Sequence, residues 1–277
     1  MPADDIEILD PNHPTKKRAL RWKRKTRVLV ICSRRVDYRS RHLMKNLLKF
    51  LPHAKGDSKF DRKKGLTELN DIAEIKNCTK IMYFESHKLK DVFLYMSDSK
   101  LGLSAVFLLH NICTMEELKL TGNCLKSSRA ILSFGTEFDE RPHLNLFKEL
   151  FVSIFSTPCG HPKSQPFIDH VFTFSLVDDK VWFRNYQILP EGAGLAEVGP
   201  RMVLEPVKVF NGSFSGSVIY KNPLYRTPNT LRRFEKLQTQ KKSHNRLVEQ
   251  LATRTKKKKR AALLNFDPDA DFAFEDE

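Results

Sequence analysis

The chain has 277 residues, 40% of them hydrophobic, and it carries a formal net charge of +15. Twenty phenylalanines and this apolar fraction indicate a folded body and exclude a wholly disordered chain. The excess of cations suggests a polyanionic partner, either nucleic acid or an anionic membrane surface.

The first predicted elements follow a short arm. Residues 1–26 form a basic N-terminal arm in this interpretation, and the folded body begins with the β-branched run Val28–Cys32. The next patterns predict, in order, a helix ending at Pro52, a helix over 65–75, a hairpin over 80–97 and a strand over 103–114.

The same order of elements then recurs. The second series predicts a strand over 129–135, a helix over 139–155, a hairpin over 170–188 that turns at Asp178-Asp179, and a strand over 199–210. We therefore expect an α/β (α+β) fold of two similar halves, about 27–120 and 125–225, each a mixed sheet with packed helices. Coincidence is the alternative, because strand–helix–hairpin is a common order.

Residues 226–277 are predicted to be a basic C-terminal extension with an acidic tail. Residues 221–260 hold fourteen Lys and Arg and two acidic residues. Two clusters could serve as nuclear import signals, as RNA-binding arms, or merely as solvated charge. They are Lys16, Lys17, Arg18, Lys23, Arg24 and Lys25 in the N-terminal arm, and Lys256, Lys257, Lys258, Lys259 and Arg260 in the extension.

The junction between the first strand and the first helix carries arginines and no glycine. Arg41, Lys45 and Lys49 recur every four residues, so they form one stripe, and no acidic residue lies between Asp37 and Asp57. A phosphate backbone would relieve their mutual repulsion, and arginine suits phosphate oxygens. A solvated basic helix face is the alternative. The predicted RNA-binding residues are Arg34, Arg35, Arg39, Arg41, Lys45, Lys49, Lys63, Lys64 and Lys163.

Other ligand chemistry finds little support in the sequence. No glycine-rich nucleotide motif follows the first strand, and the five widely spaced cysteines include no CxxC pair, which is typical of reduced thiols. A loop over 156–170 carries Cys159, His161, Lys163, Asp169 and His170, but it matches no ligand or catalytic spacing. We expect no catalytic residues, metal, cofactor or small-molecule substrate.

Membrane association is not expected either. No apolar run approaches the roughly 18 residues that a membrane span needs, and the N-terminus lacks the pattern of a signal peptide. The aromatic residues of the two hairpins could stack RNA bases, but alternate strand positions must fill the core, so most of these rings are expected there. The prediction is a soluble intracellular protein.

Several long segments in order resemble the Brix-domain family. They include "VLVICSRRVDYRSRHLMKNLLKFLPHAKGDSKFDRK", "LKLTGNCLKSSRAILSF", "HPKSQPFIDHVFTFSLVDDKVWFRNYQI" and "GPRMVLEPVKVFNGSFSG". The resemblance runs from about Arg27 to Tyr225. It implies two α/β halves that each resemble an anticodon-binding domain, with the basic N-terminal half as the RNA face. This C-terminal extension is shorter than the Lys/Arg-rich tail of many relatives and ends acidic.

The resemblance also implies a function. It predicts a non-enzymatic, nucleolar ribosome biogenesis factor that binds precursor rRNA, works with other assembly factors and one dedicated protein partner, and is required for the large (60S) ribosomal subunit. One alternative is a protein-interaction scaffold with only incidental RNA contact. The other is an rRNA-processing enzyme, which alanine at His161 or His170 would inactivate.

Overall fold

The computed structural model describes residues 26–99, 102–189 and 194–264. The chain divides into two compact units, one ending at Tyr225 and the other beginning at Arg226. The arm cations between Lys16 and Lys25 lie outside the described residues, as does the acidic tail.

The first half of the first unit combines five strands with four short helical elements. They are β1 (Val28–Cys32), α1 (Tyr38–Phe50), β2 (Ala54–Gly56), the 3-10 helix η1 (Arg62–Lys64), α2 (Glu68–Ile75), β3 (Lys80–His87), β4 (Asp91–Asp98), β5 (Ser104–Cys113) and α3 (Met115–Leu118). The predicted hairpin is β3–β4, and the predicted helices are α1 and α2.

The second half repeats the strand, helix, hairpin and strand. It contains β6 (Arg129–Phe134), α4 (Glu137–Glu140), α5 (Pro142–Phe155), β7 (Ile168–Val177), β8 (Lys180–Ile188), β9 (Leu195–Glu197), β10 (Arg201–Phe210) and β11 (Val218–Lys221). The predicted continuous helix over 139–155 was wrong at one point. Arg141 is extended, with φ −114° and ψ 129°, because a residue before proline avoids the helical region.

The eleven strands of the described residues join one mixed sheet. The order is β2-β1-β3-β4-β5-β10-β8-β7-β6, with β9 added to β8 and β11 added to β10. In each half the first strand is parallel to the first strand of its hairpin. Strand β1 is also parallel to β2, and the other pairs within the two halves are antiparallel. The halves meet where β5 and β10 pair in antiparallel fashion. The order of strand, helix, hairpin and strand occurs in both halves, and the halves share a single sheet.

The main core lies on one face of that sheet, under α1 and α5. Helix α1 buries Ser40, Leu43, Asn46, Leu47 and Phe50. Helix α5 buries Leu144, Phe147, Leu150, Phe151 and Ile154 at identical spacing, together with Phe155. The two helices therefore sit in equivalent places, with residue numbers that differ by 104. A smaller core on the opposite face packs α2 against β1 and β3.

The second unit contains a single described helix, α6 (Pro228–Leu264), of 37 residues. Its charged residues apart from Arg232 are exposed, and apolar side chains such as Phe234 and Leu247 are about half exposed. The cations from Lys256 to Arg260 lie on this helix and are exposed. None of the described helices has the length and apolar character that a bilayer crossing requires.

Candidate nucleic-acid interface

The outward face of α1 is built by the same periodicity that buries its inner face. Arg41, Lys45 and Lys49 are exposed, and successive members stand about 6 Å apart along the helix axis. Tyr38 begins the helix on the same side, one turn before Arg41. We call Tyr38, Arg41, Lys45 and Lys49 the α1 strip.

Acidic residues distant in sequence neutralise part of the predicted site. Arg39 Nε lies 2.9 Å from Glu117, and Lys49 Nζ lies 3.8 Å from Glu116, both on α3. The absence of acid in the local sequence therefore does not mean an absence of acid in space. Of the three cations in the stripe, Lys49 is therefore already paired with an acidic residue of the chain.

Glu116 is held in its charged form by its surroundings on α1. Partial burial alone would raise its pKa, but hydrogen bonds from its own backbone N–H and from Asn46, with the charges of Lys49 and His42, lower it. Asn46 Nδ2 donates to Glu116 Oε2 at 3.3 Å. The carboxylate therefore stays ionised near neutral pH and competes with phosphate for Lys49.

Three predicted cations of the junction and α1 remain available. Arg34 pairs with Asp61 at 3.1 Å, but Arg35, Arg41 and Lys45 are exposed and form no ion pair with any described residue. Arg35 has φ 63°, a left-handed conformation in the turn that joins β1 to α1. The free charges of the junction are thus concentrated at this turn and on the middle of the α1 strip.

Tyr38 was not among the residues predicted from the sequence, because aromatic residues were considered only in the hairpins. Its side chain is 65% exposed, and its ring lies 4.1 Å from the ring of His42 at 37°. Its spacing of three residues before Arg41 could have identified it. An exposed ring next to cations is an arrangement that binds unpaired bases by stacking.

The other predicted residues do not join the α1 strip in one patch. Lys63 is exposed on η1, whose N-cap residue Asp61 is the ion-pair partner of Arg34. Lys64 is in the same helix, but its side chain lies outside the described part. Lys163 is exposed in the loop after α5, next to His161, whose ring lies 6.4 Å from that of His53 beyond the C-terminus of α1.

The loop over 156–170 brings no catalytic set together among the described residues. Cys159 is exposed, whereas His170 is fully buried, with its Nδ1 2.6 Å from Asp169 and 3.1 Å from Ser128 Oγ. Asp169 also accepts the backbone N–H of Leu125 at 2.7 Å. These contacts fasten the segment between the halves to β7. The part of the chain that the structure describes contains no group of three His, Cys, Asp or Glu placed to hold a metal ion.

Comparison with known proteins places the chain among ribosome biogenesis proteins. The family model described as "Brix domain" matches residues 33–208. A Caenorhabditis elegans protein named "Ribosome biogenesis protein BRX1 homolog" is 53% identical over 248 residues, 89% of this chain and 69% of that relative. The Homo sapiens protein of the same name is 49% identical over 251 residues, 91% of this chain and 71% of that relative.

Among solved structures, the chain is similar to the "Crystal structure of probable ribosomal biogenesis protein from Aeropyrum pernix K1". The TM-score is 0.45 and the identity 18%, and the match covers 65% of this chain and 96% of that one.

Proposed function

Because the chain belongs to the Brix-domain family of ribosome biogenesis proteins, we propose that it binds precursor rRNA and promotes assembly of the large ribosomal subunit in the nucleolus. The observation that carries this proposal is the α1 strip, an exposed row of cations that begins with an exposed aromatic ring. The protein's role on this proposal is binding, and it needs no cofactor.

The two helices at equivalent places support a functional origin for the α1 strip. On α5 the positions that correspond to Arg41, Lys45 and Lys49 hold Asn145, Glu149 and Ser153. Helix α5 packs against the same face of the sheet without those cations. The charges of α1 are therefore not needed to build this fold, and like charges at this spacing cost a few tenths of a kcal/mol per pair.

The spacing of the α1 strip suits a single strand of RNA. Its cations stand about 6 Å apart, comparable to the separation of successive phosphates along a strand. Tyr38 can stack on one unpaired base at the end of that row, which duplex RNA would not offer. We therefore propose that the bound element is a single-stranded segment, with Arg35 and the cations of α6 adding less specific contacts.

Exchange of the α1 strip for its α5 counterpart tests this proposal. The variant Arg41→Asn/Lys45→Glu/Lys49→Ser should bind a fluorescent single-stranded RNA at least tenfold more weakly, an order-of-magnitude expectation for phosphates left without a cation. The slope of log affinity against log salt should fall by about 0.7 for each phosphate that is no longer neutralised. Fluorescence anisotropy at several salt concentrations measures both, and circular dichroism checks the fold.

The matched control removes the same total charge elsewhere on the body. Lys119→Asn/Lys126→Glu/Lys221→Ser changes three exposed lysines outside α1. Equal reductions of affinity in the two variants would mean that RNA responds only to net charge, and would contradict a site on α1.

The ribosomal part of the proposal needs a test in cells. Ultraviolet crosslinking of the tagged protein, followed by sequencing of the attached RNA, should recover precursor rRNA of the large subunit. Depletion of the protein should lower the amount of large subunits in a sedimentation profile. Crosslinks confined to mRNA or tRNA would overturn the assignment.

A further inference from the structure

Two clefts occupy equivalent places in the two halves, between the start of a helix, a hairpin turn and a central strand. The α1–β5 cleft has a volume of about 450 Å³ and is lined chiefly by Asp37, Arg39, Ser40, Leu89, Lys90 and Asn111. The α5–β10 cleft has a volume of about 250 Å³ and is lined by Arg141, His143, Leu144, Asp179, Pro206 and the segment Tyr220–Leu224.

The backbones that form the two clefts match in detail. Asp37, Arg39 and Ser40 correspond to Arg141, His143 and Leu144 by the same difference of 104 that relates the buried positions of the helices. The two hairpin turns share left-handed residues, Lys88-Leu89 in one and Asp178-Asp179 in the other.

The central strands also carry matching bulges. In the β5–β10 pair, β5 has an extra residue between His110 and Cys113, and β10 has an extra residue between Pro206 and Lys208. Asn111 lines the α1–β5 cleft beside the bulge of β5, and Pro206 lines the α5–β10 cleft beside the bulge of β10.

The chain fills the α5–β10 cleft with its own backbone. Strand β11 pairs with β10 on the edge that β8 leaves open, and the Asn222 backbone N–H donates to Val207 O at 3.1 Å. Asn222 Nδ2 donates to Pro206 O at 2.9 Å, and Tyr220 stacks on His143 at 4.4 Å and 5°. A single extended segment therefore closes this cleft, with the aromatic ring of Tyr220 and the side-chain amide of Asn222 two residues later.

The α1–β5 cleft has no such segment in the described chain. Pairing of β4 with β5 ends at Val92 and Leu109, although β5 continues to Cys113 beside β10. Residues 110–113 therefore present an open strand edge along the cleft. Open strand edges bind extended peptides by main-chain hydrogen bonds.

We propose that the α1–β5 cleft binds an extended segment of a partner protein, in the place that Tyr220–Leu224 takes in the other half. The occupant is a peptide because the molecule itself supplies a peptide at the equivalent site. Its aromatic residue lies against Arg39, which replaces His143 and whose guanidinium plane can cover a ring.

Lys90 favours an acidic segment in the α1–β5 cleft. Of the other charged residues that line this cleft, Arg39 is paired with Glu117 at 2.9 Å, and Asp37 is acidic. Lys90 forms no ion pair with a described residue, whereas in the other half Arg141 is paired with Asp179 at 2.7 Å. A carboxylate of the partner next to the aromatic residue would pair with Lys90.

The probe is the chain's own ten-residue segment 217–226 as a fluorescent peptide, in native form and with Lys221→Glu/Arg226→Glu. The full-length protein should bind the acidic peptide saturably and about tenfold more tightly than the native peptide. Hydrogen exchange should show protection of residues 109–113 when the acidic peptide is bound.

Two variants locate the binding site, one in the α1–β5 cleft and one in the equivalent hairpin turn of the other half. Leu89→Gly/Lys90→Glu should weaken binding of the acidic peptide by about tenfold or more, and glycine suits the φ of 59° at Leu89. Asp178→Gly/Lys180→Glu likewise places a glycine at a left-handed position and reverses a lysine in the equivalent turn, with a net charge change of −1 instead of −2, and should leave binding unchanged.

Three results would overturn the proposal. They are no saturable binding of either peptide, equal weakening by the two turn variants, or a fall in single-stranded RNA affinity in Leu89→Gly/Lys90→Glu, which would assign the cleft to RNA. The proposal goes beyond the proposed RNA binding, and its failure is distinct, because neither turn variant alters the α1 strip.

Discussion

Helices α1 and α5 occupy equivalent places on one sheet, yet they have been used in opposite ways. Helix α5 packs phenylalanine into the core, with Phe147, Phe151 and Phe155 buried, and exposes no row of cations. Helix α1 buries two polar residues, Ser40 and Asn46, and turns a row of cations to solvent. On equivalent backbones, one helix therefore adds aromatic side chains to the core, and the other leaves a row of cations on the surface.

The largest expected effect is the loss of stability when a core side chain is removed from α5, compared with the equivalent removal from α1. Phe151 is fully buried, stacks on Phe174 at 4.9 Å and lies 5.5 Å from Phe107. Phe151→Ala should lower the free energy of unfolding by about 4 kcal/mol, and Leu47→Ala at the equivalent position on α1 by about 3 kcal/mol. Urea unfolding followed by circular dichroism gives both values. A larger decrease for Leu47→Ala would place the main packing in the first half instead.

The contact between the two helices predicts the next effect, a dependence of stability on pH. His53, just beyond α1, lies 2.9 Å through Nε2 from Ile154 O on α5, and its Nδ1 is buried with no partner among the described residues. Burial lowers the pKa of His53 to about 4, and nearby His161 adds to this, although the Ile154 hydrogen bond opposes it. The folded imidazole is therefore neutral, with its Nε2–H donated to Ile154.

The sign of this dependence follows from where the proton binds. The unfolded chain takes up the proton near pH 6.5, whereas the folded chain does so only near pH 4. Stability is thus fully present above pH 6.5 and falls as the pH drops to 4, by about 3 kcal/mol from this group. His53→Gln keeps a donor for Ile154 and should flatten that part of the profile. An unchanged profile in His53→Gln would exclude this histidine as the cause.

Tyr38 gives the third effect, and it tests whether the α1 strip recognises bases as well as phosphates. Tyr38→Ala should weaken binding of single-stranded RNA by about 1–3 kcal/mol and leave the salt dependence unchanged, because stacking releases no counterions. Tyr38→Phe should keep most of the affinity. Salt titrations with single-stranded and duplex RNA separate base stacking from phosphate contact. The affinity for duplex RNA should change little in Tyr38→Ala, because its bases are paired. Equal reductions of affinity for both RNAs would argue against stacking.

The sequence predicted what local periodicity encodes. The spacing of Leu43, Leu47 and Phe50 defined the inner face of α1, and alternating aromatic residues defined both hairpins. Contacts between distant segments could not be predicted in this way, because no period links Glu116 with Lys49 or joins β5 to β10. The break at Arg141 was readable from Pro142, and Tyr38 from its place on the helix, but neither was identified.

The smallest expected effect concerns the acidic residues that restrain the α1 strip. Glu117 has two roles, since one carboxylate oxygen lies 2.9 Å from Arg39 and the other accepts the Thr114 backbone N–H at 3.3 Å in a capping box. Glutamine can fill the capping role equally well but carries no charge. Glu116→Gln/Glu117→Gln should therefore release Arg39 and Lys49 and change stability by less than about 1 kcal/mol, as exposed ion pairs are weak.

Released cations should become available to RNA. We expect the affinity of Glu116→Gln/Glu117→Gln for single-stranded RNA to rise a few-fold and its salt slope to steepen by about 0.7 for each cation that meets a phosphate. Glu149→Gln, on α5 at the position equivalent to Lys45, neutralises one carboxylate far from the α1 strip in sequence and serves as the control for charge alone. A rise in both variants would reflect net charge, whereas a rise confined to the α3 variant means that the first half holds part of its RNA-binding charge in check.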